Sequence, residues 1–534
     1  MSNPMTLLRG ARFLPPHSLP RGWALLIAGD RIVAVGEEDE LRRSHRAELI
    51  DLDGAFLLPG FIDTHTHLFE WARRLNGIDL SGVDSLDGLE SELRRQSRKV
   101  DDGREWIGGS GWDPALAAAG LDRSLLDEIF GNRPVALESR DFHILWCNTE
   151  ALRRAGVLDG ARCPPGGSIG RRRSGEPDGL LRETAWELIV RARPAESEEV
   201  RERWIRGAVR RAWGFGLIAV HSMEPSSTGA AYRALAERGR LGLRVVHHTP
   251  LVDLDARIAA EGNIAAGSLP PGSVAMERGG VKIFMDGSMG SGTAFMEHPY
   301  PGGGRGRLLM EKGELLETVL RAQRAGIPPV IHAIGDAAVT AVVEVLEKAA
   351  ARLHEEGRGL TDGVRIEHAQ FIAPKTVRRL CHLPVSCAMQ PIHLAEDIPM
   401  LARLHHESGR RAFCTRSLLD AGVRVVLGSD APVASIDPRQ GICAAMARRA
   451  GNRPDGECWH GEEALTCAEA IAGYTGEAAA LAASTREGGR LAEGARADLV
   501  ALDGGLDPTD PFAWPKASVR LTMISGRIVH EDLG

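Results

Sequence analysis

The sequence has eight cysteines, and no two of them form a C-x-x-C pair. A zinc ribbon and a thioredoxin-type redox site both need that spacing, so isolated reduced thiols are the expectation. Positive charge is not in excess either. The formal charge is −7 and no basic stripe is present, which argues against a nucleic-acid partner. No run approaches the roughly 20 apolar residues that span a bilayer, so no membrane partner is expected. Near the start, RGARFLPPHSLPRG carries charges and prolines where a signal peptide needs an apolar run. The expected compartment is therefore the cytosol. Two residue types are scarce: the chain has three tyrosines, and six lysines (Lys99, Lys282, Lys312, Lys348, Lys375 and Lys516) among 65 basic residues.

What is present suits a large soluble protein. The 534 residues exceed one ordinary domain, and 43% hydrophobic with 26% charged residues supplies both a core and a solvated surface. Short β-prone runs crowd the two ends. WALLIAGDRIVAVG (Trp23–Gly36) reads as a hairpin turning at Gly29-Asp30, and VRLTMISGRIVHED (Val519–Asp532) as another turning at Ser525-Gly526. A small sheet is marginal alone, so residues 1–58 and 488–534 are expected to join in one small β-sandwich domain.

Between them, residues 59–487 alternate apolar strands with helical patterns such as Glu314–Gly326 and Ala337–Gly357. The strand candidates are FIDTHTH (from Phe61), Leu217–Met223, Leu243–Thr249, Val281–Gly287, Pro328–Asp336, Val364–Gln370, Pro384–Gln390 and Val423–Asp430. Eight such units predict an α/β fold, a (β/α)8 TIM-type barrel. About 150 residues separate the first two strands, far more than a barrel connection needs. A subdomain inserted at about 71–205 is expected there, rising from the C-terminal mouth. It holds a candidate strand VALESRD (Val135–Asp141) and a loop or hairpin over Arg162–Gly179.

Ligand-type side chains fall at the C-terminal ends of these strands. His65 and His67 are two apart on the first strand, so both rings point to one side. His332, His368 and Asp430 end strands five, six and eight. Such a set suits Zn²⁺ or a similar divalent ion. His221, His247, His248, His405 and His406 are assigned structural roles. Lys282 stands apart, because lysine is seldom buried without a partner. Two readings fit it. Its amine, neutral through burial, takes up CO₂ and becomes a bridging carbamate; or it stays charged beside Glu367 or Asp286.

The stretches LLPGFIDTHTHL, GGSGWDP, DFHILWCNTEAL, GEPDGLLRETA, VKIFMDGSMGSGTA, IHAIGDAA, VRIEHAQ, LGSDAPV and GARADLVALD run nearly end to end. With them the chain resembles the amidohydrolase superfamily, specifically its YtcJ-like branch, which includes the N-substituted formamide deformylases. The resemblance implies a hydrolase of carbon–nitrogen bonds other than peptide bonds, acting on an amide or N-formyl compound. It implies one or two divalent metal ions, with Zn²⁺ first. His65, His67 and Asp430 would hold one, and His332 and His368 the other, with carbamylated Lys282 as the bridge. Asp430 would be the general base. An esterase, lactonase or isomerase on the same site is the alternative, with a non-catalytic binding protein further off. His393, a catalytic candidate, and His143 contact the substrate or the oxyanion or else are structural residues, and Asp286 is a support for a ligand and a further substrate-side candidate. Trp112, with Trp106 and Trp146, lines a substrate lid or forms the insertion's own core. A small-molecule substrate is the expected partner, and self-association is open.

Overall fold

The computed structural model describes residues 5–98, 105–140, 143–261 and 276–533. Eight strands form one parallel sheet in sequence order: β1 (Phe61–Thr66), β2 (Leu217–Ser222), β3 (Arg244–Pro250), β4 (Met276–Phe284), β5 (Pro329–Ala333), β6 (Arg365–His368), β7 (Ser386–Met389) and β8 (Arg424–Leu427). The sheet nearly closes on itself. Beyond the end of β8, Ala431 bridges Thr66 of β1, and Thr64 Oγ1 donates to Leu427 O at 2.8 Å. Every residue of β1, β2, β6 and β7 is buried, as expected for strands with a packed lumen on one side and helices on the other. Helices follow the strands, among them Ser226–Glu237, Lys312–Arg324, Asp336–Glu355 and Pro391–Leu401. The eight expected strands are thus present. One start was misplaced: β4 begins at Met276, five residues before Val281, because its first turn of ladder uses the polar run MERGG.

Strands from both ends of the chain share a five-stranded sheet, ordered Arg12–Phe13, Phe56–Pro59, Leu499–Leu502, Val519–Ile524 and Arg527–Glu531. A four-stranded sheet accompanies it, ordered Arg31–Glu37, Trp23–Ala28, Met5–Arg9 and Glu48–Asp51. Leu8, Leu25 and Ile32 of the one pack with Leu57, Leu499 and Leu521 of the other. At the second hairpin, Ser525 (φ 50°) and Gly526 (φ 73°) both take the left-handed backbone that a two-residue turn requires.

The chain divides into two compact units, Met1–Leu68 with Val209–Gly534, and Phe69–Ala208. The second unit is built on a six-stranded sheet ordered Ser168–Arg171, Pro177–Arg182, Ile144–Cys147, Val135–Ser139, Ile107–Trp112 and Ile78–Asp79. One cluster of that unit holds Trp112, Leu137 and Trp146, and another holds Trp106, Leu145 and Leu181. Alternation along the strands sends neighbours such as Leu145 and Trp146 into different clusters. Asp141, the last residue of the VALESRD candidate, lies outside the described residues, as does Phe142. No described helix is long and apolar enough to cross a membrane.

Candidate metal centre

Two groups of ligand-type side chains converge on one carboxylate. His65, His67 and Asp430 form the first, and His368, His393 and Asp430 the second; within each, the ligand atoms lie within 4.8 Å of one another. His67 Nε2 is 3.2 Å and His65 Nε2 3.5 Å from Asp430 Oδ1. Backbone bonds fix this junction: Asp430 N donates to His65 O and His67 N to Ala431 O, both at 2.7 Å. Buried Asp63 adds a clamp, accepting from His65 N and Ser429 N at 3.0 Å each. Burial lifts its pKa to about 7 against those bonds.

Each imidazole is oriented through its far nitrogen. His65 Nδ1 meets Glu367 Oε2, and His368 Nδ1 is 2.8 Å from Gln390 Oε1. Both partners accept, so each ring carries its proton on Nδ1 and presents Nε2 as a lone pair, the arrangement a metal ligand needs. Burial holds His65 and His368 well below the ordinary histidine pKa, which keeps them neutral. His67 differs. Burial opposes its charge, but Asp430 outweighs that and draws its pKa up. Burial also pushes the Asp430 carboxyl up, yet His65, His67, His368 and His393 hold it well below its ordinary value. His393 donates from Nε2 to Ser429 O at 3.2 Å, leaving Nδ1 as an acceptor. His332, the other expected ligand, packs its ring 4.6 Å from that of His368. Its Nε2 is 3.2 Å from Gly287 O, and burial followed by Lys282 lowers its pKa to about 4.

Lys282 is 4% exposed, and its Nζ has no hydrogen-bond partner. Burial lowers its pKa to about 8, opposed by Glu367 and Asp430. Neither carboxylate considered as its ion-pair partner is hydrogen-bonded to it. Glu367 is engaged by His65 and, at 2.6 Å, by Arg365 Nε. Asp286 accepts from Phe295 N, Ile334 N and Gly335 N at 2.9–3.0 Å, and burial raises its pKa to about 6. With an Oδ1 3.7 Å from His332 Nε2, Asp286 ties the β4 and β5 ends together beneath that ring and has no exposed surface for a substrate. An ionised carboxylate beside neutral imidazoles supplies the oxygen and nitrogen donors of a cation site, and the Lys282 amine next to them has no hydrogen bond to hold its charge.

The insertion's candidates behave differently. Trp112 is fully buried, donates Nε1–H to Leu137 O at 2.9 Å and meets Trp146 edge-on, so it is a core residue with no surface for a lid. His143 is exposed, with Nδ1 2.9 Å from Glu183 Oε1. Arg365 was not anticipated. From β6 its guanidinium reaches Thr64 O at 3.2 Å, His221 at 3.3 Å and His248 at 2.9 Å, contacts with β1, β2 and β3 that only a side chain inside the barrel can make. The signal was legible: Arg365 and Glu367 sit two apart, on one side of the fully buried strand β6.

A parallel barrel with histidines, an aspartate and an orphaned lysine gathered at the C-terminal ends of its strands belongs to the metal-dependent hydrolase class. The chain is a member of the amidohydrolase family, whose description matches residues 48–530. A short N-terminal stretch, residues 24–47, matches the imidazolonepropionase-like composite domain of bacteria. The chain is 30% identical to the putative amidohydrolase YtcJ of Bacillus subtilis, across 95% of this chain and 98% of that one. It is 28% identical to the N-substituted formamide deformylase of Arthrobacter pascens, across 96% and 95%. An uncharacterized metal-dependent hydrolase from Pyrococcus furiosus superposes with a TM-score of 0.76 at 26% identity, covering 95% of this chain and all of that one.

Proposed function

We propose that the protein hydrolyses a C–N bond of an amide or N-formyl type in a small molecule, with Asp430 as the general base. The observation that carries this reading is the position of Asp430, shared by the His65/His67 and the His368/His393 groups. A bound divalent cation, Zn²⁺ by preference for this nitrogen-rich set, supplies Lewis acidity that lowers the pKa of an adjacent water towards about 7 and polarises the scissile carbonyl. His65, His67 and Asp430 would hold one ion, and His332 and His368 a second. Asp430 takes the proton of the attacking water as its oxygen bonds the carbonyl carbon, and returns it to the nitrogen as the C–N bond breaks. With its N–H spent on Ser429, His393 contacts the substrate through Nδ1, as an acceptor. The compartment is the cytosol, and any association is with copies of itself.

Lys282 completes the binuclear form. The deprotonated fraction of its amine would attack CO₂ and lose one N–H proton to solvent, giving a carbamate whose oxygens would serve as ligands. The orphaned Nζ and its lowered pKa support that chemistry.

The test is a panel of N-formyl amines, amides and matched esters against wild type and Asp430→Asn. The variant should keep its fold and lose turnover by about 10²–10⁴-fold, the usual worth of a positioned acid–base group. Full activity in Asp430→Asn would remove the base assignment, and exclusive ester cleavage by wild type would remove the C–N reading. Lys282→Ala should lose activity and regain part of it with a short carboxylic acid; failure of every such acid would count against the carbamate.

A further inference from the structure

A third ligand-type group lies outside this centre. His298, His405 and Glu407 bring their ligand atoms within 4.8 Å of one another. His298 lies between β4 and the helix Lys312–Arg324; His405 and Glu407 lie between the helices Pro391–Leu401 and Thr415–Asp420. His298 follows the C-terminal end of β4, and Ala412, near Glu407, bridges Phe371 just past the end of β6, so the group stands on the side of the barrel that carries the metal centre. The two imidazoles are stacked, with centroids 4.2 Å apart and planes inclined by 21°. His298 Nε2 is 3.2 Å from Glu407 Oε2. Two donors on one tetrahedral Zn²⁺ sit about 3.4 Å apart, given bonds of about 2.0–2.1 Å. The His298–Glu407 spacing already matches, and small rotations of half-buried and exposed side chains bring in His405.

The charge around the group favours a cation. Arg411 is the nearby positive side chain, and it is spent elsewhere: Nη1 lies 2.6 Å from Asp336 Oδ2 and 2.5 Å from Glu297 Oε2. It touches Glu407 only through Nη2, at 3.5 Å, enough to orient the carboxylate without neutralising it. Two stacked imidazoles facing a carboxylate form a His₂Glu donor set with a fourth position open to water, a composition that selects Zn²⁺, Ni²⁺ or Cu²⁺ over Mg²⁺ or Ca²⁺. His405, assigned a structural role from sequence, becomes a ligand only through its spatial neighbour 107 positions away.

We propose that His298, His405 and Glu407 bind a divalent transition-metal ion, separate from the metal centre, and that its binding pins the segment after β4 to the segment after β7. The experiment is equilibrium dialysis of the full chain, its metal centre left loaded, against Zn²⁺, with Mg²⁺ as the comparison ion. Wild type should take up one more Zn²⁺ per chain than the His298→Ala/His405→Ala double variant, and Mg²⁺ should not replace it. Because both side chains are solvent-accessible the variant should fold; circular dichroism checks this, and His298→Gln with His405→Gln is the milder substitute. Titrated with Cu²⁺, wild type should show paramagnetic resonance hyperfine splitting from two nitrogens that the double variant lacks. Equal Zn²⁺ uptake by wild type and a folded double variant would overturn the proposal.

Discussion

Glu367 stands between two buried N–H groups, one neutral and one charged: one oxygen meets His65 Nδ1, and the other lies 2.6 Å from Arg365 Nε. A glutamine there can accept with one atom only, so its amide nitrogen would face either the His65 N–H or the guanidinium. His65 would lose the partner that fixes its tautomer and aims its Nε2. Glu367→Gln is therefore expected to weaken metal binding by about 10–100-fold, the usual cost of removing such a support. Competition against a chromophoric chelator reads it directly, and an unchanged affinity would separate Glu367 from the centre. At this scale the sequence exposed some of the site and hid the rest. His65 and His67 were legible because alternation in a strand fixes their common side. The final placement of His368 and Asp430 was not. Both have left-handed backbone, at φ 68° and 57°, which redirects their side chains at the strand ends. No local composition demands that conformation from a histidine or an aspartate. His393 joined the His368 group for the same kind of reason: the helix turn after β7, not sequence spacing, carries it there.

The strand GVKIF carries a constraint that its apolar pattern conceals. A Cβ added at Gly280 would meet Pro328 O at 2.1 Å and Val330 Cγ2 at 2.7 Å. The β4–β5 ladder, which pairs Val281 with Pro329 and Phe284 with His332, runs too close there for any side chain. Gly280→Ala must push β5 away, and with it His332. A loss of about 1–3 kcal/mol is expected, the range for overpacking a filled core. The urea midpoint should fall accordingly, and a midpoint equal to wild type would show that the ladder yields without strain. The eight strands themselves were readable because each is a short apolar run bounded by Gly, Pro or polar residues. The early start of β4 was not, since MERGG lacks the apolar signal and is strand only because β3 pairs with it, Met276 opposite Val245. The insertion shows the same limit. One strand and a loop or hairpin were anticipated from it, yet six strands pair, three of them only two to four residues long.

At the scale of the whole molecule, the joining of the chain's two ends could be read from turn chemistry at Gly29-Asp30 and Ser525-Gly526, because hairpins declare themselves locally. The core of the insertion could not, since the contact of Trp112 with Trp146 depends on which strands pair. That core has a consequence for stability. Every member of the His65/His67/Asp430 and His368/His393/Asp430 groups lies in the unit of residues 1–68 and 209–534, while residues 69–208 carry clusters of their own. A cation that binds only the folded barrel stabilises it by mass action, by about 4 kcal/mol at a thousand times its dissociation constant. Stripping it with a chelator should therefore act unevenly along the chain. In hydrogen exchange, amides of β1 and β8 should lose protection, because their junction through His67, Asp430 and Ala431 surrounds the ligands. Amides of Val135–Ser139 and Ile144–Cys147, paired within the insertion, should keep theirs. Restoring Zn²⁺ should reverse the change in β1 and β8 alone. An equal loss in both units would mean that they open as one cooperative body, and that the metal centre governs the stability of the whole chain.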